Sequence, residues 1–177
     1  MQYHRKSIRL KGYNYSENWY YFVTICLQNR EKLFGEINNG QMILNEIGKD
    51  IKKTFLDYFN NICFKLDEYI IMPDHIHMII VIKNKINNVG AGLVPALNIN
   101  TRATTRVAPT VNKTLGEIIG ELKSLTTNEY IKNVKIKNWP KFDKRLWQRN
   151  YYERIIRNEK EYFGYKKYIK DNPKNYS

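Results

Sequence analysis

A near-continuous apolar pattern runs through EYIIMPDHIHMIIVI, residues 68 to 82, and within it His75 and His77 stand two apart. Near-continuous apolar sequence of this kind belongs to a strand buried on both faces. Pro73 and Asp74 break it, and proline cannot donate to a sheet ladder, so the pattern predicts strands at about 65–72 and 75–82 joined by a turn at Met72 to Asp74. WYYFVTICLQN, 19–29, is aromatic and β-branched and reads as a further strand. A turn region holding Gly35, Asn38, Asn39 and Gly40 follows. Asn45 then caps a helix over 45–60 with Ile47, Ile51, Phe55, Leu56 and Phe59 on one face. Residues 83–113 lose all periodicity and read as a long mobile loop. Thr114 and Glu117 form a capping box for a second helix, TLGEIIGELKSLTTNEYI, with Leu115, Ile118, Ile119, Leu122 and Leu125 as its buried stripe. LWQRNYYERIIR, 146–157, alternates as a last strand, and a third helix runs from Asn158 until Pro173 stops it. The order is βαββαβ plus α. This is an α+β, ferredoxin-like antiparallel sheet with two helices on one face and a C-terminal helix beyond, a single domain over residues 1–177.

Composition adds a partner to this plan. Thirty Lys and Arg against 17 Asp and Glu leave a net charge of +13, which favours a polyanion, because neutralised phosphates release counterions. Fourteen Tyr, seven Phe and three Trp suit unpaired bases, whose faces stack on aromatic rings. A Lys-rich coding bias would give a similar excess. Arg5, Lys6, Arg9 and Lys11 lie in a basic arm, residues 1–18, which is either a phosphate-following segment or a solvated tail. Lys141, Lys144, Arg145 and Arg149 crowd a connector around Trp147, and Lys123 adds charge on the second helix; these are the remaining DNA-contact candidates. Cys26 and Cys63 show no metal spacing and read as reduced core residues. No apolar run is long enough to span a bilayer and no signal-peptide core is present, so a cytoplasmic location without membrane contact is expected.

The chemistry starts from the histidines. Strand side chains alternate faces, so residues 75 and 77 aim two imidazoles at one spot, a start for a small metal site. An arbitrary HxH pair is more often a hydrogen-bonded pair of polar residues. On the terminal helix Tyr168 and Asn172 are four apart and share a face, while Gly164, one turn earlier, removes bulk where something must approach closely. Tyr151, Tyr162 and Tyr165 compete with Tyr168 for any catalytic role.

Three separated motifs carry a resemblance. MPDHIHMIIVI resembles the His-hydrophobic-His (HUH) strand of single-tyrosine transposases of the insertion-sequence type. The C-terminal run with Trp147 and Gln148, Arg157 and Asn158, and Tyr168, Ile169, Asn172 and Pro173 resembles the REP-associated tyrosine transposases, as does the opening RKSIRLKGYNYSENWYYFVTICLQNREKLFGEI. The resemblance implies one Mg²⁺ or Mn²⁺ held by His75, His77 and Asn172. It also implies Tyr168 as the nucleophile that forms a 5′-phosphotyrosine, and hairpin-bearing single-stranded DNA as the substrate. The expected form is a monomer or a homodimer, with the tyrosine acting on the histidines of its own or of the other subunit. Rival readings are a replication-initiator or relaxase-like nickase, a domesticated DNA-binding protein without cleavage, and a phosphoesterase using activated water.

Overall fold

The strand at the centre of the molecule is β5, His75–Val81, and every one of its residues is buried. In the computed structural model, which describes residues 19–62, 64–82 and 113–176, β5 lies between β4 (Lys65–Ile71) and β1 (Tyr20–Cys26), with β6 (Tyr152–Ile156) beyond β1. All three pairings are antiparallel. The order β4-β5-β1-β6 is the ferredoxin-like arrangement that the element order predicts. The basic arm with Arg5, Lys6, Arg9 and Lys11, the expected loop up to residue 112, and Cys63 lie outside the described residues.

One face of the sheet carries α1 (Glu46–Asn60) and α2 (Leu115–Ile136). Alternation sends Tyr21, Val23, Ile25, Ile76, Met78 and Ile80 to that side, where they meet Ile51, Phe55, Ile118 and Leu122 in the main core. Both helices start as their sequences direct: the Asn45 side chain accepts from the Gly48 N–H, and Thr114 and Glu117 close a reciprocal capping box. The stripe on α2 needs one correction. Leu125 is 44% exposed, and Thr126 is buried in its stead. Nearly three turns on from Leu115, the 3.6-residue period has carried position 125 off the face, and Thr126 is kept inside because its hydroxyl donates to the Leu122 carbonyl and accepts from the Trp147 indole N–H at 2.9 Å.

The opposite face carries α3 (Glu159–Asp171), capped by Asn158, over a smaller core of Phe22, Ile79, Ile156 and Ile169. A β-bulge fixes its position. Leu66 pairs with Ile80 and Glu68 with Ile79, leaving Asp67 as the extra residue that a bulge inserts. Leu66 packs in the main core, whereas Asp67 and Glu68 both reach α3. Asp67 accepts from the Tyr162 hydroxyl at 2.6 Å and pairs with Lys166, and Glu68 pairs with Lys166 and Lys170.

Three boundaries differ from expectation. The turn region around Gly35 to Gly40 is a hairpin, β2 (Gly35–Asn38) with β3 (Gln41–Leu44). Its two-residue loop places Asn39 and Gly40 at φ of 49° and 70°, the left-handed pair of a type I′ turn. The last strand begins at Tyr152 rather than 146; before it, the chain makes only an isolated bridge from Trp147 to Leu27. Pro173 does not end helical structure: α3 passes into a 3₁₀ turn, Asn172–Asn175, whose first positions accept a proline because their N–H groups need no partner.

Candidate active site

Register brings the site together. Thr24 lies opposite His77, and Cys26 lies opposite His75, so the face of β1 and β5 toward α3 presents both imidazoles and the Thr24 hydroxyl. The two Nε2 atoms are 3.0 Å apart. Each outer nitrogen is held: His75 Nδ1 lies 2.6 Å from Asp74 Oδ1, and His77 Nδ1 lies 2.7 Å from Thr24 Oγ1. Outer partners of this kind, a carboxylate and a hydroxyl, orient the rings of metal-binding histidines. The rings are 5% exposed at both positions. Burial first, and then the neighbouring His75 and Arg30, push the His77 pKa down to about 3 against the opposing pull of Asp74. His77 is therefore neutral near pH 7, the form in which imidazole binds metals.

Asp74 is itself anchored. Burial alone would raise its pKa, but hydrogen bonding and charge from His75, the Arg30 guanidinium and the Tyr176 hydroxyl together lower it. Arg30 Nε sits 2.8 Å from Asp74 Oδ2, and Tyr176 Oη 3.2 Å from Asp74 Oδ1. Arg30 reaches this place from a 3₁₀ turn in which it and Asn29 both have positive φ, 57° and 56°, a conformation that costs a non-glycine residue roughly 1 kcal/mol or more. Asp74→Asn keeps the size of the group and removes its charge; should the imidazoles bind a divalent metal, its affinity is expected to weaken by about 10- to 100-fold, measured by titration with Mn²⁺.

The tyrosine arrives from α3. The Tyr168 ring meets the His77 ring edge-on with centroids 5.2 Å apart and touches Phe22 at 5.8 Å. It is 49% exposed, open to a ligand on one side. Tyr176, two turns on, lies 6.2 Å from the His75 ring. The segment from Tyr168 to Tyr176 thus crosses the histidine pair, and Asn172, 8% exposed, is midway along it. Among the described residues no group of three or more His, Cys, Asp or Glu is placed to hold a metal ion, so the convergent donors are the two imidazoles, with Asp74 behind one of them. The hairpin braces this segment: a Cβ at Gly40 would stand 3.3 Å from Lys174.

The rivals of Tyr168 are engaged elsewhere. Tyr162 donates to Asp67, and Tyr165 hydrogen-bonds Arg154 while stacking on Phe22. Tyr151 lies under the Lys123 ammonium. Gly164 is corrected in part: among the described residues, its own helix backbone and chain neighbours aside, nothing approaches within 4 Å of a Cβ built there, and the space opens into a cavity of about 510 Å³ beside Tyr168 and His77.

The basic candidates divide into exposed and structural. Lys141, Lys144, Arg145 and Arg149 are exposed, and the last three line a groove of about 400 Å³ between α2 and the connector. Trp147, expected as a DNA contact, is 4% exposed, with its ring against Phe34 and its N–H on Thr126; it is a core residue. Lys123 is likewise structural: it donates to the Gln148 and Asn150 carbonyls, and burial pushes its pKa down to about 8. Trp147→Ala is expected to cost about 3–5 kcal/mol of stability, read by urea unfolding. Cys26, expected in the core, is only half-buried, its sulfur accepting from Arg30 at 2.9 Å. Four residues of the site escaped the sequence reading: Thr24, Arg30, Asp74 and Tyr176. Only Asp74 carried a local signal, as the acid directly before His75.

No family model matches the chain. Among solved structures, a REP-associated tyrosine transposase bound to a REP hairpin superposes with a TM-score of 0.58 at 15% identity, over 96% of this chain and 75% of that one. A provisionally assigned transposase of Deinococcus radiodurans R1 superposes with a TM-score of 0.50 at 14% identity, over 93% and 97%. Together with the paired histidines and the adjacent tyrosine, these likenesses define the class: an α+β fold of the HUH tyrosine-transposase type. Within it, the chain belongs to one family with an uncharacterized protein of Haemophilus influenzae, to which it is 41% identical over 96% of its own length and 88% of the relative's. Among the described residues no helix is long and apolar enough to cross a membrane.

Proposed function

We propose that this chain acts as one domain, a divalent-metal-dependent, single-tyrosine DNA transposase that cuts and rejoins hairpin-bearing single strands in the cytoplasm. The observation that carries the reading is the 5.2 Å approach of the Tyr168 ring to a His77 whose Nε2 converges with that of His75. The residues fit a divalent cation in the chemistry of their donors: two buried imidazoles with convergent Nε2 atoms and fixed outer nitrogens. His75, His77 and Asn172 would hold Mg²⁺ or Mn²⁺, which when bound supplies Lewis acidity to a phosphate oxygen. Thr24 and Asp74 keep the two rings aimed, and His75, Arg30 and Tyr176 together favour the ionised form of Asp74.

Tyr168 performs the transfer. Its phenolic oxygen forms a bond to phosphorus as the bond from phosphorus to the 3′ oxygen breaks; the phenol proton is released, and the departing 3′ oxygen takes one up. The product is a 5′-phosphotyrosine and a free 3′-hydroxyl. A second strand's 3′-hydroxyl reverses the step, so the bond is remade without a nucleoside triphosphate. The net charge of +13 and the exposed Lys141, Lys144, Arg145 and Arg149 support a nucleic-acid partner, and the hairpin held by the similar REP-associated transposase supports a hairpin as its form. The contact of Tyr168 with His77 of its own chain supports a site complete in one subunit.

The absence of a carboxylate donor among the described site residues favours one alternative, a DNA-binding protein that does not cleave. Incubation of the protein with labelled single-stranded DNA from the flanks of its gene, with Mg²⁺, Mn²⁺ or EDTA, separates the two. A denaturation-resistant protein–DNA band that needs the metal supports the transposase; tight binding with no such band leaves the non-cleaving reading.

A further inference from the structure

The cavity beside Tyr168 is lined by Phe22, Thr24, His77, Tyr152, Glu161, Gly164, Tyr165 and Tyr168. Phe22 is its hub. Its ring stacks on Tyr165 with centroids 4.5 Å apart at 17°, and it meets Tyr152 and Tyr168 edge-on at 6.4 and 5.8 Å. Tyr152 and Tyr168 are both about half exposed, so aromatic surface that the fold does not use faces the opening. Arg154, opposite Phe22 in the β1–β6 register, hydrogen-bonds Tyr165 and is otherwise open to solvent. The Glu161 carboxylate, also on the cavity wall, accepts from the Arg157 N–H and acts on Arg154 through space, so a phosphate would have to compete with it for Arg154.

Gly164 is the independent observation. It lies in the interior of α3, where glycine is the poorest helix former after proline. It has no positive φ, and a Cβ there would meet nothing within 4 Å. Neither backbone conformation nor internal packing requires this glycine, and the helix is weaker for it. What a side chain at 164 would occupy is the cavity.

We propose that this cavity is a slot for one unpaired base of single-stranded DNA, the base next to the phosphate that Tyr168 attacks. The base stacks against the half-exposed rings of Tyr152 and Tyr168, which the buried Phe22, itself stacked between Tyr165 and His77, backs from behind; its phosphate reaches Arg154, and Gly164 keeps the entrance clear. A volume of about 510 Å³ is within the range of small-ligand pockets. Aromatic lining with a cation at the rim is the chemistry by which proteins hold unstacked bases irrespective of sequence. The assignment of the base to the position beside the attacked phosphate rests on the proposed function; the slot itself does not.

Binding measurements in a Tyr168→Phe background, where no adduct forms, keep the two apart. The probes are a fluorescent oligo-dT and an oligomer of abasic residues with equal length and charge. Stacking of one base predicts that oligo-dT binds roughly 5- to 150-fold more tightly. Gly164→Leu should abolish that preference while leaving the abasic affinity unchanged. Gly164→Ala reports on the fold: its thermal midpoint should rise by roughly 2–4 °C, with a smaller loss of the preference. A Gly164→Leu protein that unfolds normally and still prefers oligo-dT overturns the slot, as does a parent protein with no preference. If the preference depends on Gly164 but the chain with Tyr168 intact forms no adduct, the slot stands and the nuclease reading falls.

Discussion

Tyr168→Phe yields a folded protein that binds single-stranded DNA as well as the parent and forms no covalent adduct, with strand transfer reduced by at least about three orders of magnitude. The size of the effect follows from the role: without its nucleophile, an enzyme that works through a covalent intermediate keeps only what binding and electrostatics supply. The fold is spared because Phe retains the edge contacts that Tyr168 makes with His77 and Phe22, and the ring is already half exposed. Tyr165→Phe is the matched control. It removes a hydroxyl held by Arg154 from the same cavity and should leave the adduct in place. An adduct that persists in Tyr168→Phe moves the nucleophile to another phenol, with Tyr152 first in line because it is exposed on the same cavity. Denaturing electrophoresis of labelled DNA gives the answer directly.

The second large effect concerns the cation. With both His75 and His77 replaced by Ala, Mn²⁺ titration should show no site, and adduct formation should fall to the level of Tyr168→Phe. The two Nε2 atoms lie 3.0 Å apart, and burial holds the His77 pKa down to about 3, so protonation of His77 should weaken metal binding only in strongly acid solution. Structural damage is limited but real. The change leaves the Thr24 hydroxyl and the Asp74 carboxylate, both bonded to imidazoles, without those partners, at a cost on the order of 1–3 kcal/mol each if water does not replace them. Thermal unfolding of the double variant therefore accompanies the titration. Adduct formation that survives in the double variant with its EDTA sensitivity intact would place the cation elsewhere.

What could be read from the residues was whatever depends on local period. The two-residue alternation of β5 put both imidazoles on one face, and Asn45, Thr114, Glu117 and Asn158 marked helix starts, since capping is a matter of neighbours in sequence. Everything that depends on register stayed hidden. Thr24 meets His77 only because β1 and β5 pair in one alignment, and nothing in YYFVTIC distinguishes that threonine beforehand. Asp74 was read as a turn residue after Pro73, which it is; its second task needs Arg30 and Tyr176, remote in the chain. The β2–β3 hairpin carried its signal in Asn39-Gly40 but was read as a turn alone, because strands of four residues are too short for alternation to stand out. Trp147 misled through its surroundings. Lysines and arginines on both sides suggested a face turned to DNA, whereas its bridge to Leu27 turns the ring inward.

The two sides of the sheet are unequally furnished. Beneath the imidazoles lies the main hydrocarbon mass, with α1 and α2 wedged against it, whereas α3 lays its own Ile169 on Phe22, Ile79 and Ile156 and adds side-chain links to Asp67 and Glu68. Local opening is cheapest where little apolar surface is lost. The anvil is therefore stiff and the hammer hinged: thermal fluctuation can lift the phenol away, carrying whatever is joined to it, while the histidines keep their aim.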